Sequence, residues 1–508
     1  MNRFALLSLY RSLTRHKLYA TLNVGGLAVG IAVFLVLGLY ARFETSYEKW
    51  LPRHDRVYVA QTVWNLPESP FNGAYPYTMG GLLEQLREDF PGVVGTRIRG
   101  GRNGGTVIRG GVATSADIAQ VDASFFDVFD LPMVRGSGSA LRQPANVLIS
   151  ETLARRYFGT SDPIGQTLTI AVDKAVNYRV AGVFRDLPAN SDFRISVLVP
   201  LPAAPPSEQW FHWGSSSLQT FLRFDTPQAA RAFEQKLPPF VDRRGLADMG
   251  KDASRIQQIK LLPLTRMHLE PAGSESASAK ITVVTLAIVG LLTLLVAIVN
   301  YVNLATARAN VRAREVAMRK VLGADRLALV RQFLGEAVLT VGVAALLGLI
   351  LAELSLPLVN AAGGLSLTIP YALVVPALMA LTLVVGLLAG FYPALLLSRY
   401  PAASVLASAR SPGGGRVGTR VREGLVVLQF GLAIAFMVGT AVLVAQTRHV
   451  RQSDLGFQRE GLMMLLSTRD SLVGADRTRM IAAAIRELPS VRSAAIGNNA
   501  AGGSGEDN

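Results

Sequence analysis

The chain has 508 residues, of which 50% are hydrophobic and only 17% are charged, with a formal net charge of +15 and no cysteine. Soluble globular domains carry about a quarter charged residues, so we expect part of this chain to lie in lipid, which excludes a purely cytosolic enzyme. Without cysteine the chain has no disulfide framework, no thiolate metal site and no lipid-modified N-terminal cysteine.

Long uncharged windows predict the membrane-spanning elements, because about twenty apolar residues are needed to cross about 30 Å of hydrocarbon. Five such windows occur, and the third and fourth share one long apolar stretch that we divide at Gly363, Gly364 and Pro370. Glu353 interrupts the third window near one end. The predicted spans are residues 18–41, 281–307, 333–358, 372–396 and 424–447.

Basic residues are concentrated in three segments that flank these spans. Residues 1–17, 308–331 and 397–422 together contain sixteen Lys and Arg and two Asp and Glu. The positive-inside rule places all three in the cytoplasm, so the excess charge indicates membrane orientation rather than nucleic-acid binding. The first span could be a signal peptide, but its uncharged window exceeds a usual signal core.

The predicted protein is thus an α-helical polytopic membrane protein with a large α/β extracytoplasmic domain. Its N-terminus is cytoplasmic and its location is the inner membrane. The segments between spans are a cytoplasmic start (1–17), an outside domain (42–280), a cytoplasmic elbow (308–332), a cytoplasmic linker (397–423) and a second outside segment (448–508).

The outside domain is predicted to be one mixed α/β domain. Residues 78–90 have a helical pattern, 147–149 form a strand that enters a helix over 151–158, and 178–184 alternate like a strand. The glycines between Gly100 and Gly111 favour a hairpin or flexible loop over a phosphate cradle, since no strand–loop–helix context follows.

The sequence supplies no catalytic constellation. Residues 245–251 fit G-x-x-x-x-G-K, but Asp252 stands where a nucleotide-binding loop needs a hydroxyl, so we interpret them as a loop. The five histidines are scattered and are interpreted as surface or interfacial residues: His16, His54, His212, His268 and His449. We therefore predict no catalytic residue, no metal and no cofactor bound by this chain.

The cytoplasmic elbow is the most informative segment. It continues the second span as a basic helix, with Glu315 and Arg319 at i,i+4 spacing, ends at Gly323 as a left-handed C-cap and restarts after Asp325 as an N-cap. A topology signal that contacts anionic lipid is the alternative. Because orientation alone needs no capped turn, we favour a docking site for a cytoplasmic partner, formed by Arg308, Arg312, Arg314, Glu315, Arg319, Lys320, Gly323, Ala324, Asp325 and Arg326.

Small residues recur at four-residue spacing in three of the spans. They are Gly26 and Gly30, Gly386 and Gly390, and Gly431, Ala435 and Gly439. Such pairs let helices approach closely, although glycine is also generally common in membrane helices. The spans carry no ionisable group at mid-membrane, since Glu336 and Glu353 lie near the ends of the third, so an ion-driven carrier is disfavoured.

A basic Gly, Ser and Pro-rich linker, residues 408–420, precedes the fifth span. After it, the order of basic flank, span and outside segment repeats the start of the chain, which suggests a transporter-like duplication. The second outside segment is much shorter than the first. We therefore expect a truncated or degenerate second half, with three further spans in a complete one.

Several motifs together resemble one family. The elbow REVAMRKVLGADRLALVRQFLGEA resembles the signature of FtsX-like ABC-transporter permeases of the MacB type. Three motifs of the outside domain are similar to the MacB-like periplasmic core domain, namely Glu44–Trp50, Val121–Gly136 and Val147–Ile170. Gly390–Leu406 and Leu425–Ile434 resemble the fourth and fifth spans of the family.

The resemblance implies a permease subunit that works with a separate cytoplasmic ABC ATPase, which would bind ATP and Mg²⁺, and with a second permease copy. A periplasmic adaptor is a further candidate partner. The ATPase would drive motion of the periplasmic domain, and so export or release of peptides, drugs or lipoproteins. The alternative is a regulator that activates a periplasmic cell-wall hydrolase without moving a substrate.

Overall fold

A computed structural model of the chain describes residues 21–69, 72–203, 208–271, 276–322, 325–399, 416–453, 461–463, 465 and 474–497. It divides into two compact units. The helical unit contains Met1–Phe43 and Ile281–Ser453, and the α/β unit contains Glu44–Lys280 and Asp454–Asn508. The large α/β domain expected after the first span is thus confirmed.

The strands of the α/β unit, in chain order, are β1 (Val57–Trp64), β2 (Gly73–Tyr75), β3 (Val94–Arg109), β4 (Val112–Val121), β5 (Met133–Gly136), β6 (Asn146–Ser150), β7 (Thr167–Ala171), β8 (Ala175–Phe184), β9 (Val197–Pro200), β10 (Gln219–Arg223) and β11 (Gln257–Pro263).

The α-helices of the described residues are α1 (Gly26–Glu44), α2 (Leu82–Asp89), α3 (Phe125–Val128), α4 (Glu151–Phe158), α5 (Pro227–Glu234), α6 (Leu237–Arg244), α7 (Leu246–Met249), α8 (Ala253–Ile256), α9 (Ser276–Val321), α10 (Arg326–Gly363), α11 (Tyr371–Arg399), α12 (Arg416–Gln452) and α13 (Gly474–Arg486). A π-helical turn, Thr21–Gly25, precedes α1.

The strands form one 11-stranded mixed sheet, in the order β11-β1-β10-β3-β4-β9-β6-β8-β5. Strand β2 pairs with β1, and β7 pairs with β3 and β8. The β4–β9 and β6–β8 pairs are parallel, and the other pairs are antiparallel. Apolar residues of the sheet and its covering helices form three cores, centred on Phe221, Phe240 and Ile149.

Four local predictions of the α/β unit are confirmed, including the strands at 147–149 and 178–184, which lie within β6 and β8. The predicted helix 151–158 is α4, which begins where Ser150 Oγ accepts a hydrogen bond from Leu153 N at 3.3 Å. The glycine-rich stretch is the β3–β4 hairpin, with Gly110 and Gly111 at its tip at φ 57° and 79°. Both features depend on local geometry, so the sequence was sufficient to predict them.

Two local predictions of this unit need correction. The helix expected over 78–90 begins only at Leu82, because Thr78 N donates to Leu218 O at 2.7 Å and holds the preceding residues in a β-bridge. The expected loop at 245–251 contains the one-turn helix α7, which ends at Gly250 with φ 81°. Long-range pairing of Thr78 therefore sets where α2 begins. A glycine that can adopt positive φ sets where α7 ends.

Within the part of the chain that the structure describes, five helices are long and apolar enough to cross a membrane: Thr21–Glu44, Ala279–Ala305, Leu327–Gly363, Tyr371–Leu388 and Val426–Val450. The predicted division of the long apolar stretch is confirmed, since α10 ends before Gly364 at φ 61° and α11 begins directly after Pro370. Glu353 does not interrupt α10; its carboxylate accepts a hydrogen bond from Tyr371 Oη at 2.7 Å.

The predicted cytoplasmic linker, residues 397–423, is helical at both of its described ends. Helix α11 continues to Arg399, and α12 begins at Arg416, so residues 416–423 are helical rather than a structureless end of the linker. Residues 400–415 lie outside the described residues. Helix α12 can begin at Arg416 because residues 416–423 contain no proline and lead directly into the apolar span.

Close contacts at small residues hold α1 against α9. A Cβ placed on Gly30 would overlap the Cβ of Ala297, and one on Gly26 would lie 3.6 Å from Asn300 Nδ2. Gly290 of α9 provides a further contact, because a Cβ there would lie 3.2 Å from the Cβ of Leu37. The absence of side chains therefore sets how near these two helices can come.

Helices α10 and α11 approach in the same way. A Cβ on Gly386 would lie 2.7 Å from Val338 Cα, and one on Gly390 would lie 2.8 Å from Ala337 Cβ. A Cβ on Gly348, which the spacing pattern did not single out, would lie 2.9 Å from the carbonyl oxygen of Ala28, so this glycine lets α10 approach α1 closely. Buried apolar residues of these four helices form one continuous core.

Helix α12 differs from the other four. A Cβ on Gly431 or Gly439 would meet no atom within 4 Å, and Ala435 is exposed. No residue of Val426–Val450 is buried by the part of the chain that the structure describes. The small residues of this helix have no packing partner there, and their role in helix packing stays a prediction.

We expect Gly30→Ala to destabilise the helical unit. The added Cβ would overlap Ala297, and such overpacking costs roughly 1–3 kcal/mol. Thermal unfolding of the purified full chain in detergent measures the effect. Gly38→Ala on the same helix is the matched control, because nothing lies within 4 Å of its Cβ position. Ala297→Gly should restore the stability of the Gly30→Ala protein, and failure of this rescue would contradict the contact.

Candidate functional site

The predicted elbow lies where α9 ends and α10 begins. Helix α9 runs without interruption through the basic segment to Val321, and α10 starts at Arg326. Gly323 and Ala324 lie outside the described residues, so the predicted C-cap is untested. The described side chains likewise exclude those of Arg308, Arg312, Arg314, Glu315, Arg319, Lys320 and Arg326.

Asp325 is the N-cap of α10. Its Oδ2 accepts a hydrogen bond from Leu327 N at 3.2 Å, and its backbone is extended at φ −66° and ψ 146°. This confirms the predicted cap. The capped start fixes the first turn of α10 directly after the end of α9.

Apolar side chains surround this turn, a feature that the sequence pattern did not reveal. Met318 and Val321 are 60% and 67% exposed, Leu322 is 85% exposed and Leu327 is 53% exposed. The first three lie at i, i+3 and i+4 of one helical end, and that spacing was the available signal. The many basic residues of the segment drew attention to charge instead. The turn therefore presents an apolar patch beside a capped helix start.

A second group of residues, the His268 cluster, was missed by sequence reasoning. We define it as Glu44, Tyr47, Glu48, Asp192 and His268. His268 Nε2 lies 2.8 Å from Glu44 Oε2, and its Nδ1 lies 2.7 Å from Asp192 Oδ1. The imidazole stacks on the Tyr47 ring with centroids 3.3 Å apart and 8° between the planes.

Glu48 is the fully buried member of the cluster. Its carboxylate accepts hydrogen bonds from Ser191 Oγ at 3.0 Å and from Asp192 N at 2.6 Å. Its backbone has φ 57°, a left-handed conformation that costs a non-glycine residue about 1 kcal/mol. A strained backbone and a buried acid are retained only where surrounding contacts hold them.

The cluster shifts the ionisation of three members. Burial lowers the pKa of His268, but the hydrogen bonds and charges of Asp192 and Glu44 outweigh it and raise this pKa to about 9. Burial raises the pKa of Glu48 to about 7, although the bonds from Asp192 and Ser191 oppose it. Burial, with the charges of Glu44 and Asp192, raises the pKa of Tyr47 to about 12.

His268 is partly buried between two carboxylates, a position that its interpretation as a surface or interfacial residue did not specify. Its two carboxylate partners lie 224 and 76 residues away in the chain, so no local pattern could identify them. One signal was present: Glu44, Tyr47 and Glu48 have the i, i+3, i+4 spacing of one helical face. Among the described residues, no group of three or more acidic or histidine side chains could hold a metal ion.

The two raised pKa values predict that the α/β unit loses stability as pH rises. Glu48 binds its proton more tightly when folded, so its contribution is full below pH 4.5 and falls until about pH 7. The contribution of His268 is full below pH 6.5 and is lost as pH rises through about 9. The Glu48 shift corresponds to about 3 kcal/mol.

Tryptophan fluorescence of the unfolding full chain measures this dependence, because all four tryptophans lie between Trp50 and Trp213 in the α/β unit. We expect Glu48→Gln to remove the slope below about pH 7 and His268→Gln to remove the slope above it. His212→Gln, which removes a half-exposed histidine beside the single carboxylate of Asp248, should change neither slope. A profile that these first two variants leave unaltered would contradict the assigned ionisations.

Comparison with known proteins identifies both parts of the chain. The MacB-like periplasmic core domain matches residues 20–239, and the FtsX-like permease C-terminal domain matches residues 287–402. The chain is 27% identical over 292 residues to the macrolide export ATP-binding/permease protein MacB of Psychrobacter cryohalolentis, which covers 56% of this chain and 41% of that protein.

A second relative is the pyoverdine export ATP-binding/permease protein PvdT of Pseudomonas syringae pv. syringae, 25% identical over 321 residues, or 61% of this chain and 45% of that protein. The periplasmic region of MacB from Actinobacillus actinomycetemcomitans matches 41% of this chain and 89% of that structure at 14% identity and a TM-score of 0.28. The chain spans less than half the length of the curated relatives.

The two matched domains occur in the order that the sequence motifs predicted, and together with the five apolar helices they make this a multi-pass membrane protein. The chain therefore carries a MacB-like periplasmic core domain followed by an FtsX-like permease C-terminal domain, and it is homologous to MacB and PvdT.

Proposed function

We propose that this chain is the permease subunit of an ABC exporter and that its elbow docks a separate cytoplasmic ATPase. ATP and Mg²⁺ would be bound by that partner. The observation that carries the proposal is the exposed apolar patch of Met318, Val321, Leu322 and Leu327 beside the Asp325 cap.

The patch favours a protein partner over the lipid surface as the ligand of the elbow. Basic side chains alone suffice for contact with anionic headgroups. Val321 and Leu322, in contrast, lie more than half exposed at a turn within a basic segment that the positive-inside rule assigns to water. Fully burying one such side chain contributes about 1.5–3 kcal/mol, so covering the patch would favour docking.

The helical geometry supports transmission from the elbow. Helix α9 is a single helix of 46 residues from Ser276 to Val321, which at 1.5 Å per residue is on the order of 70 Å long. Because the helix has no interruption, displacement of its cytoplasmic end would move its other end. In the proposed cycle, ATP binding closes the cytoplasmic side and this movement drives the periplasmic domain.

The proposed cargo is periplasmic or membrane material such as peptides, drugs or lipoproteins. Two relatives are named for the export of a macrolide and of pyoverdine, which supports export over regulation of a cell-wall hydrolase. A second permease copy and a periplasmic adaptor are proposed as further partners. The proposed location is the inner membrane, with the N-terminus in the cytoplasm and the MacB-like domain in the periplasm.

We expect Leu322→Glu to abolish stimulation of the co-purified ATPase without unfolding the permease, because the side chain is 85% exposed and its loss leaves no cavity. Paired charge reversal at Arg319 and Lys320 should act in the same direction. ATP hydrolysis in reconstituted membranes is the measurement. Leu246→Glu, at an exposed leucine of the α/β unit, is the matched control. Wild-type stimulation in the Leu322→Glu protein would reject the docking role.

The proposed topology predicts opposite labelling of two single cysteines in this naturally cysteine-free chain. Lys174→Cys, at an exposed position between β7 and β8, should react with a membrane-impermeant maleimide added to cells whose outer membrane is permeabilised. Ser411→Cys, in the predicted cytoplasmic linker, should react only after the inner membrane is also opened. Equal reaction of both before that step would overturn the proposed orientation.

A further inference from the structure

The His268 cluster joins segments that lie far apart in the chain. Glu44 is the last residue of α1, and Asp192 lies in the loop between β8 and β9. His268 lies between β11 and α9, and one of its ring nitrogens faces each carboxylate. The His268 side chain thus connects three segments: the end of α1 at Glu44, the β8–β9 loop at Asp192 and its own segment, which leads to α9.

The geometry determines the charge of the joining group. A neutral imidazole has one N–H, whereas both ring nitrogens of His268 lie within 2.8 Å of carboxylate oxygens that can only accept. Both nitrogens can donate only if the ring is an imidazolium. The stacked Tyr47 ring adds attraction between the cation and the aromatic face. Both hydrogen bonds are then charge-assisted, which makes them about twice as strong as neutral ones.

A second charged contact continues the connection to α9. Glu270 lies two residues after His268 and pairs with Lys280 Nζ at 2.7 Å, and it also pairs with Arg266. Lys280 belongs to the first turns of α9. The segment 266–270 is therefore held by ionic hydrogen bonds to the end of α1 on one side and to the start of α9 on the other.

Buried contacts fix the remaining side of the cluster. Glu48 N donates to Asn190 O at 3.3 Å, and Asn190 Nδ2 donates to Ser46 O at 3.1 Å. With the bonds to the Glu48 carboxylate, these contacts attach residues 46–48 to the loop 190–193 independently of His268. Removing His268 would therefore detach the 266–270 segment from Glu44 and Asp192 while leaving residues 46–48 attached to the loop.

We propose that His268 is a positioning residue that fixes the end of α1 and the start of α9 to the β8–β9 loop, so that movement of these helices is carried into the sheet. The inference rests on the proposed function for its source of movement. Charged groups facing His268 are Glu44 and Asp192, with Glu48 and Arg194 acting on the stacked Tyr47. This connection transmits displacement because both ring nitrogens of His268 make short, charge-assisted hydrogen bonds.

The experiment uses hydrogen–deuterium exchange of the full chain in nanodiscs, first without ATPase or nucleotide. We expect His268→Gln to increase exchange of residues 264–271 by at least about tenfold, since loss of even one ionic hydrogen bond implies that much, with little change at 46–48. His212→Gln is the matched control and should change neither segment. If His268→Gln does not fold, Glu44→Gln removes one of the two ionic partners. Unaltered exchange in a folded variant would overturn the positioning role.

A spectroscopic measurement tests the charge. The chain has five histidines, so the His268→Gln protein assigns the signal in ¹⁵N-histidine spectra of the full chain. We expect both ring nitrogens of His268 to stay protonated at neutral pH and to titrate near pH 9. Titration near the ordinary value of 6.5 would contradict an imidazolium held by two carboxylates.

The second arm adds the co-purified ATPase and ATP. We expect the wild-type complex to show ATP-dependent exchange changes in the sheet, and the His268→Gln complex to hydrolyse ATP normally without them. Retained changes in that variant would overturn transmission through His268. If the wild-type complex itself shows no ATP-dependent change, the proposed function fails and transmission fails with it, whereas the nucleotide-free comparison still decides the positioning role.

Discussion

The constraint on which the architecture depends is that hydrocarbon offers no partner for a backbone N–H or C=O. Each crossing must therefore be a continuous helix, and these helices must then associate without help from the hydrophobic effect. Glycine is the means by which α1, α9, α10 and α11 do so. At Gly30 and Gly386 the neighbouring helix occupies the place of a side chain, which brings the backbones together and leaves one shared core.

The two ends of helix α9 carry different kinds of residue. The helix is unbroken from Ser276 to Val321. At one end lies the turn with the Asp325 cap and the exposed Leu322. At the other end, Lys280 pairs with Glu270, which lies two residues after His268. One end of the helix thus leads to an exposed apolar side chain, and the other end carries an ion pair.

Buried charge in the α/β unit is placed with a consistent logic. The fully buried Glu48 is paired with hydroxyl and amide donors, and burial raises its pKa to about 7, so that it is partly protonated at neutral pH. The less buried Glu44 and Asp192 instead face the positive ring of His268. The buried carboxyl group without a cation thus has a raised pKa, whereas the other two carboxylates have a cationic partner, which avoids an unpaired buried charge.

Sequence alone determined the features that depend on neighbouring residues. The apolar windows, the break at Gly364 and Pro370, the Asp325 cap, the Ser150-capped α4 and the glycine tip of the β3–β4 hairpin are all local, so composition and spacing were sufficient. The family resemblance arose from such local motifs as well.

Only the tertiary structure decided the contacts between distant residues. The pairing of His268 with Glu44 joins residues 224 positions apart, and the contact of Gly30 with Ala297 joins two different spans. The exposure of the Leu322 side chain could not be predicted either, because an apolar residue type between two spans does not indicate whether the fold covers it. Hydrophobic periodicity predicts structure only among residues that are close in the sequence. For residues far apart in the chain, tertiary packing decides which side chains are in contact.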